Sequence, residues 1–77
     1  MTKRRPKQKN PTLIDFAKRV RKRRHELGFT QEKLAELADL HTNFIGGIER
    51  STRNPSLTSL IRLAKALEIP LRDLLPD

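Results

Sequence analysis

Apolar residues recur along this chain at the three- and four-residue spacing of amphipathic helices, and no stretch has the strict alternation of a β-strand. From Thr12 to Leu27 this pattern predicts a first helix, capped by Thr12 or Asn10 and ended by Gly28. Arg24 falls in the middle of its apolar stripe, where a charged side chain needs a partner. The apolar positions are Leu13, Phe16, Ala17, Val20 and Leu27.

Four shorter helices are predicted after the first. The second begins after Thr30, a favourable N-cap, and we expect it to face Leu34, Leu37 and Ala38 inward. Pro70 separates a short last helix from the fourth. The predicted bounds of these four helices are 31–38, 42–50, 58–67 and 71–75. The predicted fold class is therefore all-α, with five helices.

One folded domain is all that 77 residues support. We predict that residues 12–77 form this domain. Residues 1–11 contain two prolines and no aliphatic residue after Met1, and we predict that they form a disordered basic arm. Such an arm either tracks phosphates or enters a minor groove of DNA, or it serves only as a solubilising tail.

Positive charge is concentrated near the N-terminus. The net charge is +8, and residues 1–29 carry 11 Lys and Arg against two acidic residues. Such an excess predicts a polyanionic partner, with nucleic acid favoured over a membrane surface. The alternative is that the basic residues of the first helix form only a solvated face. These residues are Lys18, Arg19, Arg21, Lys22 and Arg23.

Several other classes of function lack the residues they need. The chain has no cysteine and only two histidines, which excludes a disulfide framework and argues against a metal cluster. We find no nucleophile–base pair or phosphate-binding loop, so we predict neither an enzyme nor a cofactor, metal or small-molecule ligand. No apolar segment is long enough to span a bilayer or to follow the basic N-terminus as in a secretory signal. We therefore expect a soluble, cytoplasmic protein.

A charged pair is expected between the first and third helices. Glu49 flanks the apolar stripe of the third helix, and Arg24 interrupts that of the first. Because both stripes must meet in one core, the pattern predicts a buried or half-buried Arg24–Glu49 pair. Removing one partner of such a pair costs about 3–5 kcal/mol.

Two adjacent glycines, Gly46 and Gly47, stand in the third helix, although each costs about 1 kcal/mol relative to alanine. With Ile45 and Ile48 turned inward, both glycines fall on the outer side of the helix together with Asn43. A helix side without side chains can approach a DNA major groove closely, provided that no other part of the chain covers it. The alternatives are close packing within the protein and neutral drift.

A family resemblance is carried by residues 30–50, TQEKLAELADLHTNFIGGIER. They resemble the helix-turn-helix of the lambda-repressor/Cro-like, or Xre, family, and the resemblance continues through RNPSLTSLIRLAKALEI to cover about residues 12–75. It implies a compact five-helix domain, bacterial or phage-encoded and nucleoid-associated, that binds double-stranded DNA and regulates transcription. The FIGGIER segment in so short a chain looks most like the controller proteins of restriction–modification systems.

The resemblance also implies roles for individual residues. The third helix resembles the recognition helix, and its base-contacting positions would be Thr42, Asn43, Gly46 and Gly47. The positions that match contacts to the DNA backbone are Gln31, Arg50 and Arg53, and Arg24–Glu49 matches a structural ion pair. The alternatives are helix capping for Thr42, solvated charges for the two arginines and an ordinary exposed position for Gln31.

Three residues depart from the family pattern. Asp39 and Ser51 stand where glycine is common, and His41 stands where Asp, Ser or Thr would cap the third helix. Because imidazole caps weakly, Thr42 is expected to be the cap instead, which would dilute its base-reading role.

The expected functional unit is a homodimer on a palindromic operator, with two recognition helices about 34 Å apart. Four apolar residues near the C-terminus are predicted to form the dimer surface, and the alternative is that they complete the core of one subunit. They are Ile69, Leu71, Leu74 and Leu75. A different class of function would be an antitoxin-like protein-interaction module built on the same fold.

Overall fold

The computed structural model describes residues 10–76 of the chain; residues 1–9, most of the predicted basic arm, and residue 77 lie outside the described residues. Four α-helices and one short 3-10 helix make up the described part, without a strand. They are α1 (Pro11–Glu26), α2 (Gln31–Ala38), α3 (Thr42–Glu49), α4 (Leu57–Ala66) and the 3-10 helix (Leu71–Asp73). The all-α class is therefore confirmed.

The predicted fifth helix is shorter than expected. Pro70 precedes it and Pro76 follows it, so only five residues lie between two residues that cannot continue an α-helix. This is too short for a stable α-helix, and the segment instead forms a single 3-10 turn.

The N-terminus of α3 is capped by a histidine. Nδ1 of His41 accepts a hydrogen bond from the backbone N–H of Asn43 at 3.0 Å. The expectation that Thr42 would cap this helix was wrong, because an unprotonated ring nitrogen is an adequate acceptor for an unpaired N–H group. Thr42 is the first helical residue, so its hydroxyl is not needed as a cap. The caps of the other α-helices are Asn10, Thr30 and Ser56.

The core forms where the apolar stripes of the four helices meet. Val20, Leu34, Ile48 and Leu63 come one from each α-helix, and all four are fully buried. Leu37 was expected to face inward but is 47% exposed. The reason is that α2 turns positions 34, 35 and 38 to the core, which leaves position 37 on its flank.

The C-terminal segment closes one end of this core. Leu74 has no exposed surface, so its predicted place in a dimer surface was wrong and the residue belongs to the core of one subunit. Ile69 and Leu71 are partly buried against the same core. Leu75 is 40% exposed and is the one member of the predicted set that offers a large apolar surface.

The two turns that flank α3 use left-handed backbone at residues other than glycine. Asp39, between α2 and α3, has φ 59°. Ser51, after α3, has φ 66°. The second turn is held by Thr52, whose backbone N–H and hydroxyl both donate to the carbonyl of Gly47, at 2.9 and 3.1 Å. The chain after α3 is thereby folded back onto the helix that it has just left.

Candidate nucleic-acid interface

α3 lies with one side in the core and the other at the surface of the domain. Ile45 and Ile48 are fully buried and anchor the helix. Asn43 and Arg50 are exposed, and Thr42 is half-buried. The first turn of the helix and its C-cap residue Arg50 therefore remain accessible to a partner on the outer side, whereas residues 45–49 are buried.

The two glycines lie on this outer side but are buried, which corrects the prediction of an open glycine surface. A Cβ atom added to Gly46 would lie 2.9 Å from Nη1 of Arg50. One added to Gly47 would overlap Cγ of Arg53 and lie 3.4 Å from its Cβ. Long basic side chains pack their stems against available surface in this way. As the structure stands, the two arginines separate the glycines from any approaching molecule.

Arg50 and Arg53 have no acidic partner within the described range. Five ion pairs are formed among residues 10–76, and neither arginine takes part in one. Both residues are exposed. Their positive charge is thus available to a negatively charged ligand beside α3.

Arg24 and Glu49, the predicted pair, lie against each other almost out of contact with water. Nε and Nη2 of Arg24 donate to the two carboxylate oxygens of Glu49, at 2.7 and 2.9 Å. Glu49 is 5% exposed. Arg24 also donates to the carbonyl of Phe29 at 2.9 Å, so this pair ties α1 to the end of α3 and to the α1–α2 turn.

Opposing effects set the pKa of Glu49. Burial alone would raise it, but hydrogen bonds from Arg24 and Gln31 and the charges of Arg24 and Arg21 outweigh burial. The pKa of Glu49 therefore lies below its ordinary value of 4.5. The same hydrogen-bonded pairing raises the pKa of Arg24, because it stabilises the charged guanidinium group.

Gln31 lies at the start of α2 and belongs to the same network. Its amide nitrogen donates to Oε1 of Glu49 at 3.0 Å. Its amide oxygen lies 3.8 Å from the position that a Cβ on Gly46 would take. The network thus joins Gln31, a predicted phosphate contact, to the C-terminal end of α3.

The arginines of α1 have a use that neither sequence interpretation anticipated. Each donates to a backbone carbonyl elsewhere in the domain. Three of these carbonyls belong to residues at helix ends, where carbonyls lack intrahelical partners and carry partial negative charge, and the fourth lies in the α1–α2 turn. The bonds run from Arg19 to Asp73 (3.3 Å), Arg21 to Glu49 (2.8 Å), Arg23 to Leu67 (2.8 Å) and Arg24 to Phe29 (2.9 Å).

The choice of residue type in α1 is the signal that could have revealed this use. A guanidinium group has five N–H donors and can reach several carbonyls, whereas a lysine ammonium acts as a compact, strongly hydrated charge. The two lysines of the same run, Lys18 and Lys22, are exposed.

Apolar surface is exposed at four large residues of the described part. Leu57 and Ile61 lie one turn apart on α4, and Leu37 and Leu75 are the others. Residues 10–76 contain no group of acidic, histidine or cysteine side chains that could hold a metal ion. Nor do they contain a helix of the length and apolarity needed to cross a membrane.

Comparison with known proteins identifies the family. A helix-turn-helix family model matches residues 18–74. The control protein C.SmaI of Serratia marcescens is 46% identical over 60 residues, which cover 78% of this chain and 71% of that protein.

Solved structures agree with this match. The restriction-modification controller protein C.AhdI from Aeromonas hydrophila has a TM-score of 0.79 at 44% identity, covering 80% of this chain and 94% of its own. C.Esp1396I bound to a 19 base pair DNA duplex has a TM-score of 0.78 at 35% identity, over 84% and 87% of the two chains. The chain therefore belongs to the Xre-like helix-turn-helix family, in which its relatives are restriction–modification controller proteins.

Proposed function

We propose that this protein regulates transcription as a homodimer that binds a palindromic operator, with α3 of each subunit in the major groove. The observation that carries the proposal is the geometry of α3. Its buried isoleucines fix the helix in the core, Asn43 is exposed at its first turn, and two arginines that have no acidic partner among residues 10–76 follow its last turn. α3 is the second helix of the helix-turn-helix motif, and in such proteins the N-terminal residues of that helix contact base edges.

The relatives support a role on DNA. C.SmaI is a control protein and C.AhdI a restriction-modification controller protein. C.Esp1396I was solved in complex with a DNA duplex, and it shares the fold of this chain over most of its length. We therefore place this chain in the bacterial cytoplasm, acting on the regulation of a restriction–modification system.

Sequence would be read by the first turn of α3. The exposed amide of Asn43 suits the N6 and N7 edge of adenine, which presents one donor and one acceptor. Thr42 can offer its hydroxyl to a base or its methyl group to thymine. Because His41 caps the helix, the Thr42 side chain is not committed to the backbone N–H groups.

Affinity would come mainly from contacts to the DNA backbone. Gln31 donates one of its two amide hydrogens to Glu49, which leaves the other for a phosphate beside the N-terminus of α2. Arg50 and Arg53 would add positive charge on the other side of α3. Each phosphate contact should contribute about 0.9 to the slope of log affinity against log salt concentration.

The dimer surface must differ from the one predicted from sequence, because Leu74 is buried. We propose that Leu57 and Ile61 of α4, together with Leu75, supply its apolar part. These residues expose 65%, 40% and 40% of their surface. Sedimentation of the wild type and of Ile61→Asp tests this directly, since a charge in an apolar interface should shift the protein to monomer.

Selection of bound duplexes from a random DNA pool tests the function itself. We expect one enriched motif with two-fold symmetry and half-sites about one helical turn apart. Asn43→Ala should relax the preference at one position of each half-site by about 1–3 kcal/mol, whereas Thr58→Ala, an exposed change on α4, should not. Absence of any enriched motif would contradict the proposal and favour a protein-interaction module.

A further inference from the structure

The glycine pair of α3 is covered by two side chains of its own chain, and these are the two arginines that have no acidic partner in the described part of the chain. Arg50 reaches over Gly46, and Arg53 lies on Gly47. We propose that Gly46 and Gly47 are positioning residues: by lacking side chains, they let both arginines lie along the outer side of the recognition helix, where they meet DNA. This inference rests on the function proposed above.

The position of the Arg50 side chain over Gly46, which we call its seat, follows from helix geometry. Side chains of an α-helix tilt toward its N-terminus, so a long side chain at position 50 runs back over position 46, four residues earlier. Any Cβ at position 46 would stand 2.9 Å from Nη1 of Arg50 and 3.8 Å from the amide oxygen of Gln31. Gly46 thus leaves room for a guanidinium group between α3 and the start of α2.

The seat for Arg53 follows from the turn after α3. Left-handed backbone at Ser51 reverses the chain, and Thr52 holds it with two hydrogen bonds to the carbonyl of Gly47. Arg53 is thereby brought onto Gly47, with Cβ, Cγ and Cδ all within contact distance of the space that a Cβ would fill. The stem of Arg53, and not only its flexible end, lies against that space, and its Cγ overlaps it.

Seating matters for binding because a free arginine side chain loses much rotamer entropy when it is fixed on a ligand. A stem already held against the helix has less freedom to lose. The nearest acidic group of α3, Glu49, is occupied by Arg24 and Gln31 and leaves the seated guanidinium groups free for DNA. The glycines would therefore act on DNA through the arginines and not by direct contact.

Alanine substitutions test this without weakening the helix, since alanine has the higher helix propensity. Gly47→Ala should lower affinity for the duplex selected by the wild type by about fivefold, and Arg53→Ala by about tenfold. Gly46→Ala should have a smaller effect, because the guanidinium end of Arg50 can move aside more easily than the stem of Arg53. Thermal stability of Gly46→Ala should be equal to the wild type or higher, whereas in Gly47→Ala the displacement of the Arg53 stem offsets the gain in helix propensity.

The decisive measurement is the double variant Gly47→Ala/Arg53→Ala. If the glycine acts by seating the arginine, adding Gly47→Ala to Arg53→Ala should change the affinity by less than twofold. Gly28→Ala is the control that shows the effect of lost stability alone, because Gly28 has φ 73° and, apart from its two chain neighbours, no described residue has an atom within 4 Å of the added Cβ. It should lower the melting temperature and leave affinity at 10 °C unchanged.

Two affinity results would overturn the inference while the proposed function stands. One is an equal loss of affinity from Gly47→Ala with and without Arg53, which would mean that the glycine itself meets DNA. The other is wild-type affinity for Gly47→Ala. A nuclear Overhauser effect between the Gly47 α-protons and the Arg53 γ-protons reports the seat without DNA, and its absence would overturn it as well. A wild type that selects no duplex would instead overturn the function, and this inference with it.

Discussion

The arginines of α1 and the arginines that follow α3 carry the same charge but have opposite relations to the rest of the domain. Those of α1 donate to backbone carbonyls outside α1, at 2.8 to 3.3 Å. Arg50 and Arg53 have no acidic partner in the described range and lie on bare backbone. Positive charge along a sequence therefore does not locate a nucleic-acid site. What matters is which guanidinium groups are already hydrogen-bonded within the domain.

Arg24→Ala should have the largest effect on stability of any arginine substitution in α1. The change leaves Glu49 charged, 5% exposed and without its main partner. We expect the free energy of unfolding to fall by about 3–5 kcal/mol, measured by urea denaturation. Arg62→Ala, at an exposed position of α4, is the matched control and should change it by less than about 0.5 kcal/mol. Similar values for the two variants would remove the pair from the account of stability.

Arg53→Ala and Arg23→Ala test the two groups against each other. Losing a charge-assisted contact at Arg53 should reduce affinity for the selected duplex by about tenfold and the salt slope by about 1, with stability unchanged. Arg23 donates to the carbonyls of Leu67 and Glu68, at 2.8 and 3.4 Å, so its loss should cost about 1–2 kcal/mol of stability and leave the salt slope unchanged.

Measuring DNA affinity as a function of salt concentration, and unfolding as a function of urea concentration, separates an effect on DNA binding from an effect on stability. A reduced salt slope for Arg23→Ala, measured at a temperature where the variant is fully folded, would place α1 on the DNA and contradict the distinction between the two groups.

Acid should weaken the domain through Glu49. Because the folded pKa of this carboxyl group lies below its ordinary value of 4.5, its ionised form stabilises the fold. That contribution is fully present above the unfolded pKa and is lost as pH falls through the folded one. Unfolding free energies measured between pH 6 and pH 2 should therefore fall less steeply for Glu49→Gln than for the wild type. Parallel curves would mean that another carboxyl group carries the acid sensitivity.

Sequence predicts the parts of this fold that local interactions decide. The bounds of α2 are those that the pattern predicted, and α1 differs by one residue at each end. Caps, helix periodicity and glycine at a helix end are all effects within a few residues, so they can be read from the chain. The position of Arg24 in an apolar stripe likewise pointed to a partner, because a buried charge requires one.

The side-chain destinations could not be predicted in the same way. Whether Gly47 is open depends on the turn at Ser51, whose left-handed backbone directs Arg53 onto it. Whether Leu74 lies in the core or on a dimer surface depends on where the last turn packs. A helical wheel shows which side of a helix is outward, but it does not show which distant side chain covers that side.

Of these substitutions, Lys22→Ala should have the smallest effect on stability and on DNA binding. It tests whether an exposed cation of α1 contacts DNA. Lys22 lies on α1 with the arginines that donate to backbone carbonyls, but its side chain is 79% exposed. Its only ion pair among residues 10–76 is a 3.9 Å contact with Glu26. Such a surface pair contributes at most about 0.5 kcal/mol, so stability should hardly change. A lysine that touches DNA contributes about 0.9 to the salt slope, whereas a distant one is screened beyond about 10 Å at 0.1 M salt. We therefore expect an unchanged slope, and a fall close to that of Arg53→Ala would show that the solvated side of α1 is a second DNA contact.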